Sequence, residues 1–321
     1  MKAIGTPHAG ALDRIGPFDI EMPALTAGSV QVRVVASALN PADVKVLGGQ
    51  FAGRVLHGRT RPLISGYDFS GVVEAKADGV DDLSAGDEVF GFLPYSSSNK
   101  QGAFAEHVVV PRNAIARKPA GIGHDVAAAS ATPAVSALQA LRDKGTLPTG
   151  GKLLVIGAAG GVGSLAVVIA KAWAKAHVTA VCSTYAVDYV RELGADDVID
   201  RRVTEPSKIE GAFDVIFDSA AAYSFTTFRH ALARGGAYVT TLPGPALLTG
   251  KLLSAFSSKR CHTFLVKPVR ADLEIVGELL AAGMKVSIDS HFPVRDLSKA
   301  LERHARGEVR GRIVIDVERG W

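Results

Sequence analysis

The segment Leu153-Leu154-Val155-Ile156-Gly157-Ala158-Ala159-Gly160-Gly161-Val162-Gly163 constrains this chain more than any other. An apolar run ends in a glycine cluster, and a helix-prone stretch, Ser164 to Lys175, follows at once. Gly157 permits a tight turn. Gly160 and Gly161 let backbone amides approach a pyrophosphate, and Gly163 permits close packing of helix on strand. Phosphates placed there meet the positive end of a helix dipole. The spacing is Gly-x-x-Gly-x-x-Gly rather than the commoner Gly-x-Gly-x-x-Gly. Its weight comes from context: a strand before, a helix after, and a second strand at His177–Val181.

The alternation continues. Ala186–Leu193 reads as a helix, Asp197–Asp200 as strand-like, and Phe213–Asp218 and Gly236–Thr241 as strands around a helix at Tyr223–Ala233. Such βαβ units imply a parallel, doubly wound sheet. The start of the chain differs. Ser29–Ala36 alternates polar and apolar residues, as do Gly71–Ala75, Asp87–Gly91 and Ala105–Val110, with Gly-, Pro- and Asp-rich turns between them. That pattern implies an antiparallel barrel. Asp125–Leu141 is Ala-rich and helix-prone, with Pro133 interrupting it. Beyond Phe264, helices at Ala271–Ala282 and Asp296–Gly307 alternate with strand-like Lys285–Ile288 and Arg312–Asp316, a tail expected to return to the first domain. The chain of 321 residues is about twice a usual domain. The expected division is 1–118, 119–264 and 265–321.

The end of the second strand selects the cofactor. NAD sites place Asp or Glu there for the ribose hydroxyls. This chain has Val181-Cys182-Ser183-Thr184-Tyr185 and no carboxylate until Asp188. Ser183 and Thr184 can donate to a 2′-phosphate, and Arg201 with Arg202 can supply positive charge, so NADPH is expected over NADH. The alternative for these arginines is a solvated surface role.

Composition removes other classes. A 47% hydrophobic and 21% charged chain is not disordered, and a net charge of +4 without a basic run gives no reason to expect nucleic acid. Cys182 and Cys261 are the only cysteines, which excludes a disulfide scaffold, a Cys-rich zinc lobe and an iron–sulfur cluster. The start lacks an apolar targeting core, and Lys171, Lys175 and His177 interrupt the most apolar stretch. A soluble, cytoplasmic protein with reduced thiols and no membrane association is expected.

Several ordered segments carry a family likeness: Asn40-Pro41-Ala42-Asp43, Gly66-Tyr67-Asp68-Phe69-Ser70-Gly71, Gly86-Asp87-Glu88-Val89-Phe90-Gly91, Gly102-Ala103-Phe104-Ala105-Glu106, the glycine loop, Leu193-Gly194-Ala195-Asp196, and Gly307 to Val314. Across nearly its whole length the chain resembles the medium-chain dehydrogenase/reductase superfamily, in its zinc-independent quinone oxidoreductase branch. The resemblance implies an α/β protein in which a doubly wound Rossmann sheet is inserted into a GroES-like antiparallel β-barrel catalytic domain, often as a homodimer.

It also implies a mechanism. Zinc-dependent relatives carry Cys where this chain has Asn40, His-Glu where it has Tyr67-Asp68, and a further ligand near Thr132. Relatives with structural zinc place four cysteines between Gly91 and Gly102, where none occurs here. Zinc is therefore not expected. Quinones and α,β-unsaturated carbonyls suit such an enzyme, because the accepted charge is delocalised onto oxygen. Lys45 is the resemblance's candidate oxyanion partner. Asn40 is a candidate for binding nicotinamide ribose or substrate, and Tyr67 a proton donor or a packing residue. Ser136 matches a hydroxyl near the nicotinamide. Ser219, Ala220, Thr241, Leu242, Phe264 and Leu265 would complete the cofactor wall. Two departures stand out: Ala220-Ala221 where Gly-Gly is frequent, and Arg312 where Lys is usual. His57, His107, His124, His262 and His291 lack metal-ligand spacing, and Asp43 is expected to cap or orient the Asn40 loop. The alternatives are an enoyl-thioester reductase and a nucleotide-binding protein with little turnover.

Overall fold

Strand alternation builds the first unit. In the computed structural model, which describes residues 1–50, 57, 60–96, 99–241 and 246–321, Lys2–Thr6 (β1), Gly16–Asp19 (β2) and Leu63–Ile64 (β4) form a three-stranded antiparallel sheet. Ser29–Leu39 (β3) is the longest strand and pairs antiparallel with Asp68–Lys76 (β5) and His107–Pro111 (β7). Glu88–Phe92 (β6) and Ile115–Arg117 (β8) continue the sheet beyond β5. The helix Pro41–Leu47 (α1) follows β3. The core holds Phe69, Phe104, Leu39 and Ile315, and full burial of each such side chain stabilises by about 1.5–3 kcal/mol.

The second unit is a six-stranded parallel sheet. Its strands are Lys152–Ile156 (β9), His177–Cys182 (β10), Asp197–Asp200 (β11), Phe213–Asp218 (β12), Leu232–Thr240 (β13) and Arg260–Thr263 (β14), in the order β11-β10-β9-β12-β13-β14. The strand order reverses between β9 and β12, where doubly wound sheets bind ligands at the carboxyl ends of their strands. His124–Leu138 (α2) leads into this unit, its last residues belonging to it, and the helices within it are Gly161–Ala174 (α3), Val187–Glu192 (α4), Phe225–Phe228 (α5) and Ala246–Ala255 (α6). Leu154, Ile216, Phe225, Phe228 and Tyr238 pack on one another within this unit.

The tail supplies Arg270–Ala281 (α7), Ile288–Pro293 (β15), Leu297–Ala305 (α8) and Arg312–Asp316 (β16). β16 pairs antiparallel with β3, and β15 joins β16 in parallel, so both lie in the first unit's sheet. The first unit comprises residues 1–132 and 267–321, and the second residues 133–266. The division thus follows Thr132 rather than residue 118. Segment 119–132 is tied to β5: Ser70 Oγ lies 2.8 Å from His124 Nδ1, and Thr132 N donates to Asp68 Oδ1 at 2.9 Å.

Three element boundaries differ from expectation. The helix after the glycine loop begins at Gly161 rather than Ser164, because Gly160 takes the extended N-cap conformation. The helix expected over Tyr223–Ala233 is one turn, α5, with a 3₁₀ turn to Ala231, and β13 starts at Leu232. The strand expected at Lys285–Ile288 forms at Ile288–Pro293, in register with β16. Among the described residues no helix is long and apolar enough to cross a membrane.

Candidate active site

The glycine loop joins β9 to α3. Gly157 has φ +79°, a left-handed conformation, and a Cβ there would lie 2.9 Å from the Ala220 Cβ. The Gly157 and Ala158 amides both donate to Val181 O at 3.1 Å, which folds the loop over the end of β10. Gly160, the N-cap, is exposed, and a Cβ on it would meet only Gly157 O at 3.5 Å. Gly163 is buried, and a Cβ on it would overlap the Gly157 carbonyl. The two glycines therefore serve different ends. Gly160 keeps the helix N-terminus approachable, and Gly163 lets the helix lie on the loop. Ala159 is buried, while Gly161 and Val162 are half-buried at the start of α3.

At the tip of β10, Ser183 is buried and its Oγ accepts from Arg201 Nε at 2.8 Å. This places a guanidinium beside the position where NAD sites carry a carboxylate. Thr184 is exposed, and its hydroxyl bonds the Asp200 carboxylate rather than standing free. That bond, with one from Arg202 N at 2.9 Å, holds the Asp200 carboxyl below the usual carboxylate range. Tyr185 is half-buried beside them. Asp200 was not among the predicted site residues, although the β10–β11 register puts it opposite Cys182.

The loop after β12 is held from beneath. Asp218 is fully buried and accepts from Tyr238 Oη at 2.9 Å, Tyr223 N at 2.8 Å and Ala222 N at 3.2 Å. Ser219 bonds back to Ile156 O through its hydroxyl at 2.8 Å, and Ala220 is exposed. Ala221 has φ +50°, so this chain keeps a glycine-like turn without glycine. That conformation costs an L-residue about 1–2 kcal/mol, and glycine loses about 0.5–1 kcal/mol more entropy on folding. Ala221→Gly should therefore raise unfolding free energy by up to about 1 kcal/mol, measured by urea titration. Thr241 and Phe264 are half-buried, and Leu265 is exposed. Ser136 is buried on α2. Leu242 lies outside the described residues.

In the first unit, Asn40 caps α1. Its backbone N–H donates to Asp43 Oδ2 at 2.8 Å, the carboxylate half of a capping box, and Pro41 fills the first helical position. Asp43 Oδ1 accepts from Ser65 Oγ at 2.5 Å and Gly66 N at 2.7 Å. Burial raises the Asp43 carboxyl to about 6, against these hydrogen bonds. The Asn40 side chain is engaged at both ends: Nδ2 donates to Asp68 Oδ2 at 3.0 Å, and Oδ1 accepts from Arg312 Nη1 at 3.1 Å. Arg312 Nη2 also reaches Asp68 Oδ2 at 2.5 Å. Asp68 is fully buried and Arg312 is 4% exposed. Burial raises the Asp68 carboxyl above its ordinary value, and the Arg312 guanidinium opposes that rise.

Tyr67 points elsewhere. Its ring stacks on Tyr95 with centroids 4.0 Å apart, and its hydroxyl lies 3.2 Å from His57 Nε2. Burial pushes the Tyr67 hydroxyl well above its ordinary value and lowers His57, so the pair is a neutral phenol beside a neutral imidazole. Lys45, on α1, is half-buried, and among the described residues its ammonium has no hydrogen-bond or ion-pair partner. Asn40, Lys45 and Tyr67 are thus all in the first unit, and the other predicted residues belong to the second. His57, Asp68 and Arg312 were not predicted as site residues. The departure at position 312 was visible, but its partners lie 244 and 272 residues away.

A doubly wound sheet with a glycine cradle at its reversal point, in one chain with a GroES-like barrel, defines a nicotinamide-dependent dehydrogenase or reductase. Comparison with known proteins agrees. Residues 26–120 match the alcohol dehydrogenase GroES-like domain family, and residues 193–315 the zinc-binding dehydrogenase family. The chain is 35% identical to the mitochondrial NAD(P)H oxidoreductase RTN4IP1 of Homo sapiens, over 90% of this chain and 81% of that protein. It is 30% identical to a chloroplast envelope quinone oxidoreductase homolog of Arabidopsis thaliana, over 96% of each. Its fold matches the quinone oxidoreductase of Coxiella burnetii with TM-score 0.88 and 25% identity, over 99% of each chain. The chain belongs to the medium-chain dehydrogenase/reductase superfamily, in its quinone oxidoreductase branch, and is an oxidoreductase with a nicotinamide cofactor.

Proposed function

We propose that this protein reduces quinones or α,β-unsaturated carbonyls with NADPH and without zinc. The observation that carries the cofactor choice is Arg201, whose guanidinium sits on Ser183 at the tip of β10. With Arg202 it outnumbers Asp200, which favours a 2′-phosphate over free ribose hydroxyls. The Gly157–Gly163 cradle suits a pyrophosphate because Gly160, the exposed N-cap, leaves the helix N-terminus uncovered, a Cβ there meeting only Gly157 O at 3.5 Å.

The described residues around Asn40, Tyr67 and Asp68 do not fit a catalytic zinc. Such a site needs about three Cys, His, Asp or Glu ligands. Asn40 supplies a neutral amide and Tyr67 a phenol held protonated by burial. The carboxylate of Asp68 is already taken by Asn40, Thr132 N and the Arg312 guanidinium.

When bound, NADPH supplies hydride. The substrate's carbonyl or quinone oxygen then becomes an enolate or hydroquinone oxygen, and the residues here act on that oxygen. Lys45, whose ammonium has no partner among the described residues, is able to stabilise it. Tyr67, its hydroxyl 3.2 Å from His57 Nε2 and its ring stacked on Tyr95, is either the proton donor or a packing residue. Asn40 orients α1 through its cap rather than offering a free amide.

The test is NADPH and NADH oxidation with a quinone and with a simple enone, beside metal analysis of the purified protein. The expected result is turnover, a preference for NADPH and well under one zinc per chain. A preference for NADH, or stoichiometric zinc, would overturn the reading. Turnover only with an enoyl thioester would move it to that reductase class. In the same assay Lys45→Ala should lower kcat/KM by about 10²–10³, and an unchanged value would remove Lys45 from the chemistry. A homodimer is part of this proposal. β14 has no second neighbour among the described strands, and the exposed Leu248, Leu252 and Phe256 precede it in sequence. Light scattering at twice 33.5 kDa would support the dimer, and the monomer mass would contradict it.

A further inference from the structure

The buried polar centre of the first unit has one cation and two carboxylates around one amide. Asp43 holds the Asn40 backbone, and Asp68 holds its side-chain nitrogen. Arg312 reaches both Asp68 Oδ2 and Asn40 Oδ1 from β16, near the other end of the chain. An asparagine amide can rotate to exchange oxygen and nitrogen. Here the exchange would set Nδ2 against the Arg312 donor and Oδ1 against the Asp68 carboxylate. Two like-for-like contacts in a buried site forbid it.

We propose that Arg312 is a positioning residue: its guanidinium is the internal cation that fixes the Asn40 amide and the Asp68 carboxylate in one orientation, and through Asn40 the start of the helix that carries Lys45. The proposal rests on the reading that Lys45 acts on the substrate oxygen. Arg312, 4% exposed, acts through the groups it holds, Asn40 and Asp68. A buried cation with several donors suits this task, because it serves the Asp68 carboxylate and the Asn40 oxygen at once. Asn40, Lys45 and Arg312 lie in one unit: Arg312 on β16 and Asp68 hold the Asn40 side chain, and the backbone of that same residue, bonded to Asp43, opens α1.

A variant lacking only Arg312 leaves Asp68 uncompensated and can fail to fold. The informative variant is therefore Asp68→Asn/Arg312→Met, which removes both charges together and leaves a side-chain amide oxygen at position 68 able to accept from Thr132 N. Three readouts apply: thermal unfolding, kcat and KM with the quinone or enone that the wild type turns over, and the side-chain amide NMR signal of Asn40, identified by its loss in Asn40→Asp. The expected result is a folded protein whose Asn40 signal moves, whose kcat falls at least about tenfold, and whose KM for NADPH is unchanged. A folded double variant with wild-type kcat and an unmoved Asn40 signal would overturn the proposal.

Arg312→Lys keeps the cation and carries the test if the double variant does not fold. It should keep the Asn40 signal in place and keep kcat within about threefold, an ammonium having three donors. Loss of kcat with that signal in place would show that Arg312 acts by another route and overturn the proposal. If the wild type reduces neither quinone nor enone, the functional reading fails by itself. The Asn40 signal still reports on Arg312 in that case.

Discussion

A Gly163→Val variant should weaken binding of the proposed NADPH by about tenfold or more, because the roughly 1–3 kcal/mol that overpacking costs falls on the loop proposed to hold the pyrophosphate. The Cβ alone overlaps the Gly157 carbonyl, and the neighbours are backbone atoms of the same loop that cannot swing aside. The helix must therefore lift from the loop, taking its N-terminal amides away from the pyrophosphate position. Overpacking of this kind also costs about 1–3 kcal/mol of stability. Gly160→Ala provides the contrast. Its Cβ makes only an ordinary contact, 3.5 Å from Gly157 O, and its φ of −78° suits any residue. It should keep stability within about 0.5 kcal/mol while weakening the cofactor, since the proposed cradle would bring the pyrophosphate against that methyl. Fluorescence titration of NADPH and thermal unfolding of both variants read the two effects separately. Full NADPH affinity in Gly163→Val would contradict the assignment of the cradle.

Asp68→Ala should destabilise the first unit strongly. It strips the partner from a guanidinium that is 4% exposed, and breaking a buried pair from one side costs about 3–5 kcal/mol. Arg312 would keep only its bond to Asn40 Oδ1, and Thr132 N would lose its acceptor. Two separated stretches of the chain depend on that carboxylate: β16, and the helix α2 after residue 124. Urea unfolding monitored by tryptophan fluorescence measures the loss. A change below about 1 kcal/mol would mean that water or a neighbour satisfies Arg312, and that the buried pair contributes little.

Much of this architecture was legible. Gly157, Gly160 and Gly163 announced the strand–turn–helix because each answers a backbone demand local to the loop, and local demands are written in local sequence. The strand at Ser29 was visible through its period of two. The tail was recognisable as returning to the first domain, and β16 beside β3 is where it goes. Boundaries were lost where tertiary pairing overrides propensity. Arg234-Gly235-Gly236 ends a helical pattern and lies within β13, which follows β12 with a register shift.

The site was half legible. Asp43 could be read as capping or orienting the Asn40 loop, because both act within three residues of each other, whereas the helix α1 that this segment forms was not read. What the Asn40 side chain does was not legible, since its partners come from β5 and β16. The same holds for Thr184. In isolation it is a donor for phosphate, and in the fold its hydroxyl is taken by Asp200, brought alongside by β11. Arg201 was named as a source of charge, and its approach to Ser183 depends on the same strand pairing. Sequence lists the groups available; pairing between strands decides which remain free for a ligand.

The central claim is hydride transfer from NADPH to an activated carbonyl by a protein that holds no zinc. It is tested most directly with NADPH deuterated at C4 and a simple enone, using protein dialysed against a chelator, with product analysed by mass spectrometry and NMR. Metal-free hydride transfer predicts one deuterium on the β-carbon of the product, at an undiminished rate after chelation. A product without deuterium at that carbon, or activity lost on chelation and restored by zinc, would contradict it.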